Sequence, residues 1–223
     1  MNNITIGITY YDNYEALKKI IHYYKSWDNY KFIIVDDGSP KRPLEKNDIP
    51  NDWSLYRVTK DIGWNNEGCR NLIVHECETE WVCLIDMDHI ILDVDLYFND
   101  HDKNTIYFFK DLFVPVGEKW TGRKSYDHNQ IYTTKKYFLE VGGYDETNAG
   151  YYGTDGSLVA APHVRYNISE YCIGYNQDSK GKHLGQTDNN RKKLLGRGIE
   201  NKWRIPEKTQ HNKKLTFPWI KIK

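Results

Sequence analysis

Phe32-Ile33-Ile34-Val35-Asp36-Asp37-Gly38-Ser39-Pro40 decides how the rest of the chain is read: an unbroken apolar run cut off by an acidic, glycine-containing turn. Such a run is the signature of a strand covered on both faces, as strands are inside a parallel sheet. Trp81-Val82-Cys83-Leu84-Ile85 repeats the pattern and stops as abruptly, in Asp86-Met87-Asp88. Ile4-Thr5-Ile6-Gly7-Ile8-Thr9, rich in β-branched residues, predicts a first strand, and Trp53 to Val58 a third. Helical spacing fills the gaps. Tyr14, Leu17, Ile20, Ile21 and Tyr24 share one helix face, and Asp12 stands three residues before Glu15 as in a capping box. Asn65 to Glu78 predicts a second helix with Cys69, Leu72, Ile73 and Cys77 inward. Strands alternating with helices over short connections predict an α/β fold, an open, mainly parallel sheet flanked by helices.

The composition narrows the function classes. With 31 basic and 31 acidic residues in 223, the chain lacks the cationic surplus of a general nucleic-acid binder. The apolar share is 39% and the mean hydropathy −0.77, yet 18 Tyr, 7 Trp and 7 Phe can build a core, which argues against disorder. No stretch approaches the roughly 18 apolar residues of a membrane span. Met1-Asn2-Asn3-Ile4 lacks the basic patch and apolar run of a secretory signal, so a cytoplasmic location is expected. Cys69, Cys77, Cys83 and Cys172 form no CxxC pair and read as reduced core thiols.

Beyond about residue 100 the pattern loosens. Thr105 to Phe109 and Gln130 to Thr134 read as strands, and Thr134 to Glu140 as a short helix. A glycine- and tyrosine-rich stretch then runs from Val141 to Gly156, followed by a basic tail with Arg191-Lys192-Lys193 and the aromatic end Phe217-Pro218-Trp219. With no linker and no repeat, residues 1–223 are expected to form one domain in two halves, 1–100 and 101–223.

Ligands of open parallel sheets bind outside the carboxyl ends of the strands. Acidic turns fall at three such ends: Asp12, Asp36-Asp37, and Asp86-Met87-Asp88. Residues two apart in extended chain project to one side, so Asp86 and Asp88 can aim two carboxylates at a hard cation such as Mg²⁺ or Mn²⁺. Such a cation would neutralise a diphosphate. As a bare pattern, Asp-x-Asp is also ordinary turn chemistry.

These segments together resemble the family 2 glycosyltransferases of the GT-A fold. Ile33-Ile34-Val35-Asp36-Asp37-Gly38-Ser39 looks like their nucleotide-binding turn, Asn65-Asn66-Glu67-Gly68-Cys69-Arg70-Asn71 like their second-helix segment, and Leu84-Ile85-Asp86-Met87-Asp88 like their DxD motif. Gly142-Gly143-Tyr144-Asp145 through Tyr151-Tyr152-Gly153-Thr154-Asp155 is similar to the acceptor-site region, particularly that of the β-1,4-galactosyltransferases. The match spans about residues 4 to 190, with the motifs in the family's order. The resemblance implies a Rossmann-like GT-A domain whose first half binds a UDP-sugar and whose second binds a carbohydrate acceptor. It places Thr9 and Tyr11 at the uracil and ribose, Asp36 on the base imide with Asp37 close by, and Arg70 near the nucleotide. It gives Asp86 the ribose or metal side, Asp88 and His183 the Mn²⁺ or Mg²⁺, and Asp155 the role of catalytic base in an inverting transfer. Tyr151, Tyr152 and Trp120 would stack on sugar faces.

The chemistry agrees with this division of labour. A leaving nucleoside diphosphate calls for a cation, and the acceptor hydroxyl calls for a carboxylate on the far side of the sugar, from a separate segment. The family's Glu-Asp pair is Thr154-Asp155 here, which makes Asp145 a rival base. His163 and His89 are rival metal ligands, and Asp93 and Asp95 read as helix caps. Two other functions compete. A sugar-nucleotide nucleotidyltransferase would need a glycine- and arginine-rich loop where this chain has Tyr10-Tyr11-Asp12-Asn13. A non-catalytic nucleotide- or carbohydrate-binding module would fit the missing glutamate.

Overall fold

The computed structural model describes residues 4–87, 89–92, 101–111, 126–151, 156–175 and 215–223. They build one nine-stranded mixed sheet with helices on its faces, the α/β architecture expected. Its parallel centre comes from the first half: β1 (Ile4–Tyr10), β2 (Lys31–Asp36), β3 (Ser54–Val58) and β4 (Trp81–Asp86), with β1 between β2 and β4. The second half extends the same sheet outward from β4 through β7 (Tyr126–Thr134), β6 (Ile106–Asp111) and β8 (Tyr166–Tyr175), and the first half's last strand, β5 (Ile90–Leu92), closes that edge. At the opposite edge β9 (Trp219–Lys221) runs antiparallel to β3. Strands β5, β8 and β9 are absent from the sequence reading. β5 and β9 are only three residues long, and their partners lie far away in the chain.

The pleat sorts each central strand into two cores. Ile6, Ile8, Tyr10, Phe32, Ile34, Cys83 and Ile85 face α1 (Tyr14–Tyr24), which buries Ala16, Leu17, Ile20 and Tyr24. Ile33, Val35, Val82 and Leu84 face α2 (Asn66–Glu76), with α3 (Lys135–Glu140) and α4 (Ser157–Ala160) on the same side. Period-two alternation therefore predicts which face any strand residue addresses.

Gly7 lies in β1 on the α2 side, where a Cβ would come within 2.3 Å of Ile73 Cγ2 and 3.1 Å of Leu84 Cδ2. This absent methyl lets the helix settle onto the sheet. Gly7→Ala is expected to cost roughly 1–3 kcal/mol through overpacking, read by chemical denaturation; a variant as stable as the parent would show that helix and strand can separate without loss.

The first helix starts one residue later than the sequence suggests. Asn13 is its cap, its Oδ1 accepting from the Ala16 amide at 3.3 Å. Asp12 instead adopts φ +45° and accepts from the amides of Lys41 and Arg42 at 3.0 and 2.8 Å. Its carboxylate stitches β1 to the loop after β2, which outweighs a capping bond. Cys69, Cys77 and Cys83 are buried free thiols, and the expectation for the Cys172 thiol falls outside what is described. Among the described residues no helix is long and apolar enough to cross a membrane.

Candidate active site

The carboxyl ends of β1, β2 and β4 meet the amino-terminal end of α2 at one edge of the sheet. In the parallel ladder Thr9 lies opposite Asp86 on one side and Val35 on the other. Thr9 shares its face with Gly7, Asp37 with Val35, and Asp86 with Leu84. All three therefore point toward α2.

Side chains of α2 connect them. Thr9 Oγ1 donates to Asn66 Oδ1 at 2.6 Å, and Asn66 Nδ2 reaches Asp86 Oδ1 at 3.5 Å. Arg70, one turn further along, donates from Nη2 to the same oxygen at 2.7 Å. Its Nη1 donates to Tyr144 Oη at 3.2 Å, and its guanidinium lies 5.7 Å from the Tyr144 ring centroid. Asp37 Oδ2 accepts from the Asn65 amide at 3.3 Å.

Arg70 is 0% exposed, whereas the Asp86 side chain keeps 23% of its surface. The guanidinium is thus enclosed in protein and fixes the carboxylate, which alone opens outward. Arg70, expected near the nucleotide, lies beside Asp86 and holds that carboxylate in place. A planar, permanently charged fork suits that task better than a flexible lysine.

Asp36, expected at the base imide, is held differently from its neighbour Asp37. It belongs to the α1 face and is completely buried, with Oδ1 accepting from the Ser39 amide at 3.0 Å and Oδ2 from the Leu44 amide at 2.9 Å and Arg57 Nε at 3.3 Å. Burial pushes its carboxyl above the ordinary range, against the pull of these donors. Its lone pairs are spent shaping the loop after β2, which leaves Asp37 as the acid of this turn on the α2 side.

Thr9 and Tyr11 are half-buried at the end of β1, and Tyr11 Oη donates to Asp61 Oδ2 at 3.2 Å. Tyr151 reaches the same end of the sheet, because the neighbouring Gly150 amide donates to the Trp64 carbonyl at 2.6 Å, just before α2 begins. Asp145 is buried and caps its own turn, accepting from the Thr147 amide at 2.9 Å and Thr147 Oγ1 at 2.6 Å. That geometry suits a turn former rather than a base. His163 lies 3.0 Å from the Val141 carbonyl, at the end of α3, and serves loop packing there. His89 is buried, and its amide closes a tight turn onto the Asp86 carbonyl at 3.1 Å. Asp88, Asp93, Asp95, Trp120, Tyr152, Thr154, Asp155 and His183 lie outside the described residues.

Among the described residues no cluster of three His, Cys, Asp or Glu side chains could hold a metal. Asp86 nevertheless has the right donor chemistry for a hard cation, a carboxylate at the mouth with Asp88 two residues on. Asn66 and Tyr144 escaped the sequence reading as site residues. The signal was an asparagine pair opening a helix whose first two turns, Asn66 to Val74, are buried regardless of polarity.

No protein-family model matches the chain, and no curated protein is similar to it in sequence. Solved structures do match. The catalytic domain of Drosophila β-1,4-galactosyltransferase 7, solved with xylobiose, superposes with a TM-score of 0.50 at 10% identity, over 89% of this chain and 81% of that one. A mannosyltransferase from Pyrobaculum calidifontis, solved with GDP-Man and Mn²⁺, superposes with a TM-score of 0.53 at 11% identity. That match covers 78% of this chain, which spans only 56% of the mannosyltransferase.

Proposed function

We propose that this chain, whose fold is the GT-A fold, is a metal-dependent inverting glycosyltransferase that moves a hexose from a UDP-sugar to a carbohydrate hydroxyl. One observation carries the reading: a partly open carboxylate, Asp86, at the carboxyl end of a central parallel strand, held there by a fully buried arginine. An acid preorganised at the ligand-binding edge of a sheet suits recognition of a ligand there.

In this reading residues 1–100 bind the nucleotide, with Thr9 and Tyr11 along base and ribose and Asp37 beside them. Asp86, Asp88 and His183 would hold Mn²⁺ or Mg²⁺, which when bound supplies charge neutralisation for the departing diphosphate. Residues 101–223 receive the acceptor, with Tyr151, Tyr152 and Trp120 against sugar faces. Asp155 takes the proton of the attacking hydroxyl as the new bond forms, opposite the leaving group. The neighbours solved with xylobiose and with GDP-Man and Mn²⁺ support a sugar acceptor, a nucleotide-sugar donor and the cation. Buried free thiols fit a reducing compartment, in keeping with a cytoplasmic enzyme.

Calorimetric titration of UDP with and without Mn²⁺, alongside turnover of a UDP-sugar panel, tests the proposal. Tight binding is expected only with the metal, and chelation is expected to remove turnover. Metal-independent turnover would refute the mechanism, while UDP binding without any transfer or hydrolysis would favour a non-catalytic module.

A further inference from the structure

We propose that Glu146 is a positioning residue, tying the C-terminal segment 215–223 to the loop 144–151 that leads into the acceptor side. Its importance for transfer rests on the glycosyltransferase reading; the tie itself stands on geometry.

Glu146 is only 7% exposed. Its Oε2 accepts from the Thr216 amide at 2.7 Å and from Thr216 Oγ1 at 2.5 Å, and its Oε1 accepts from Asn71 Nδ2 at 3.1 Å. One carboxylate thus joins helix α2, the 144–151 loop and a segment 70 residues further along the chain. Burying it costs free energy that only such a set of donors offsets.

The same loop is registered on α2 by Asn71, which accepts from the Tyr144 amide at 2.9 Å and donates to the Tyr144 carbonyl at 2.8 Å. This double bond pattern needs Gly143, at φ +63°, where a Cβ would meet Asn71 Oδ1 at 2.8 Å. Asn71 and Arg70 are consecutive. One grips the backbone of Tyr144 while the other grips its hydroxyl and Asp86. The donor-side carboxylate and the acceptor-side loop therefore share an anchor, and Thr216 closes it from outside.

The site demands a carboxylate. A glutamine at 146 would turn an N–H toward either Asn71 Nδ2 or the Thr216 amide, setting donor against donor. Asn71 cannot flip to help, because its Oδ1 is already held by the Tyr144 amide.

Amide hydrogen exchange on the full chain, comparing the parent with Glu146→Gln, Thr216→Val and Thr216→Ser, tests the tie. Exchange across 144–151 is expected to quicken about tenfold in the first two variants. Thr216→Ser, which keeps the hydroxyl, should match the parent, and exchange in β1, β2 and β4 should not move. For whichever UDP-sugar the parent turns over, the two disabling variants should raise the acceptor KM with the donor KM unchanged. Unaltered exchange in 144–151, or equal acceleration across the whole sheet, would overturn the proposal. If Glu146→Gln does not fold, Thr216→Val carries the same test with the carboxylate intact. A parent that binds no UDP would refute the nucleotide reading alone, and the exchange result would still judge the tie.

Discussion

Asp86→Ala is expected to unfold at a temperature lower by about 6–12 °C, because it strands a guanidinium that has no access to water. Arg70 is 0% exposed and loses the carboxylate oxygen 2.7 Å away. Breaking a buried pair costs about 3–5 kcal/mol, and the partial exposure of Asp86 places this case near 3. Asp86→Asn separates structure from chemistry. Its amide oxygen can still accept from Arg70, so only about 1 kcal/mol should be lost. The negative charge is gone, however, and Mn²⁺-dependent UDP affinity should fall by about tenfold or more. Thermal denaturation and calorimetry on both variants check this. If Asp86→Ala were as stable as the parent, the ion pair would not be what holds the edge of the sheet.

Asp155→Asn is expected to lower sugar transfer by about 10²–10⁴-fold, the usual contribution of a general base, while leaving UDP binding unchanged. Its comparison is Asp145→Asn. That residue accepts from the Thr147 amide and hydroxyl, so its loss should cost about 1 kcal/mol of stability and little activity. Steady-state kinetics with saturating donor distinguishes the two. Transfer that survives in Asp155→Asn and vanishes in Asp145→Asn would move the base to the turn.

The parallel centre was legible because burial on both faces leaves its mark as unbroken apolar runs, as in Phe32 to Val35 and Trp81 to Ile85. The first two helices were legible from their spacing, α1 to within the single residue by which Asn13 displaced Asp12 as cap. By contrast, α2 stops at Glu76, two residues short of the expected end, and the one-turn α4 left no periodic signal. What could not be read was the use of each acid. Asp36 and Asp37 are adjacent and chemically alike, yet one is spent on the Ser39 and Leu44 amides and the other faces Asn65. The pleat decides between them, and the pleat is visible only once Ile34 and Val35 are assigned to opposite cores. Arg70 shows the converse: its motif position suggests a ligand contact, and only packing shows that it also pairs with Asp86. The tie at Glu146 joins segments that no local pattern links.

That alternation constrains how the molecule can diverge. Trp81 to Asp86 must keep an odd–even count: a single-residue insertion or deletion in this strand would rotate the terminal aspartate to the α1 side and turn its neighbour onto Arg70. Length changes of two would preserve the facing. Descendants of this sequence should therefore vary freely in their loops while this strand gains or loses residues only in pairs.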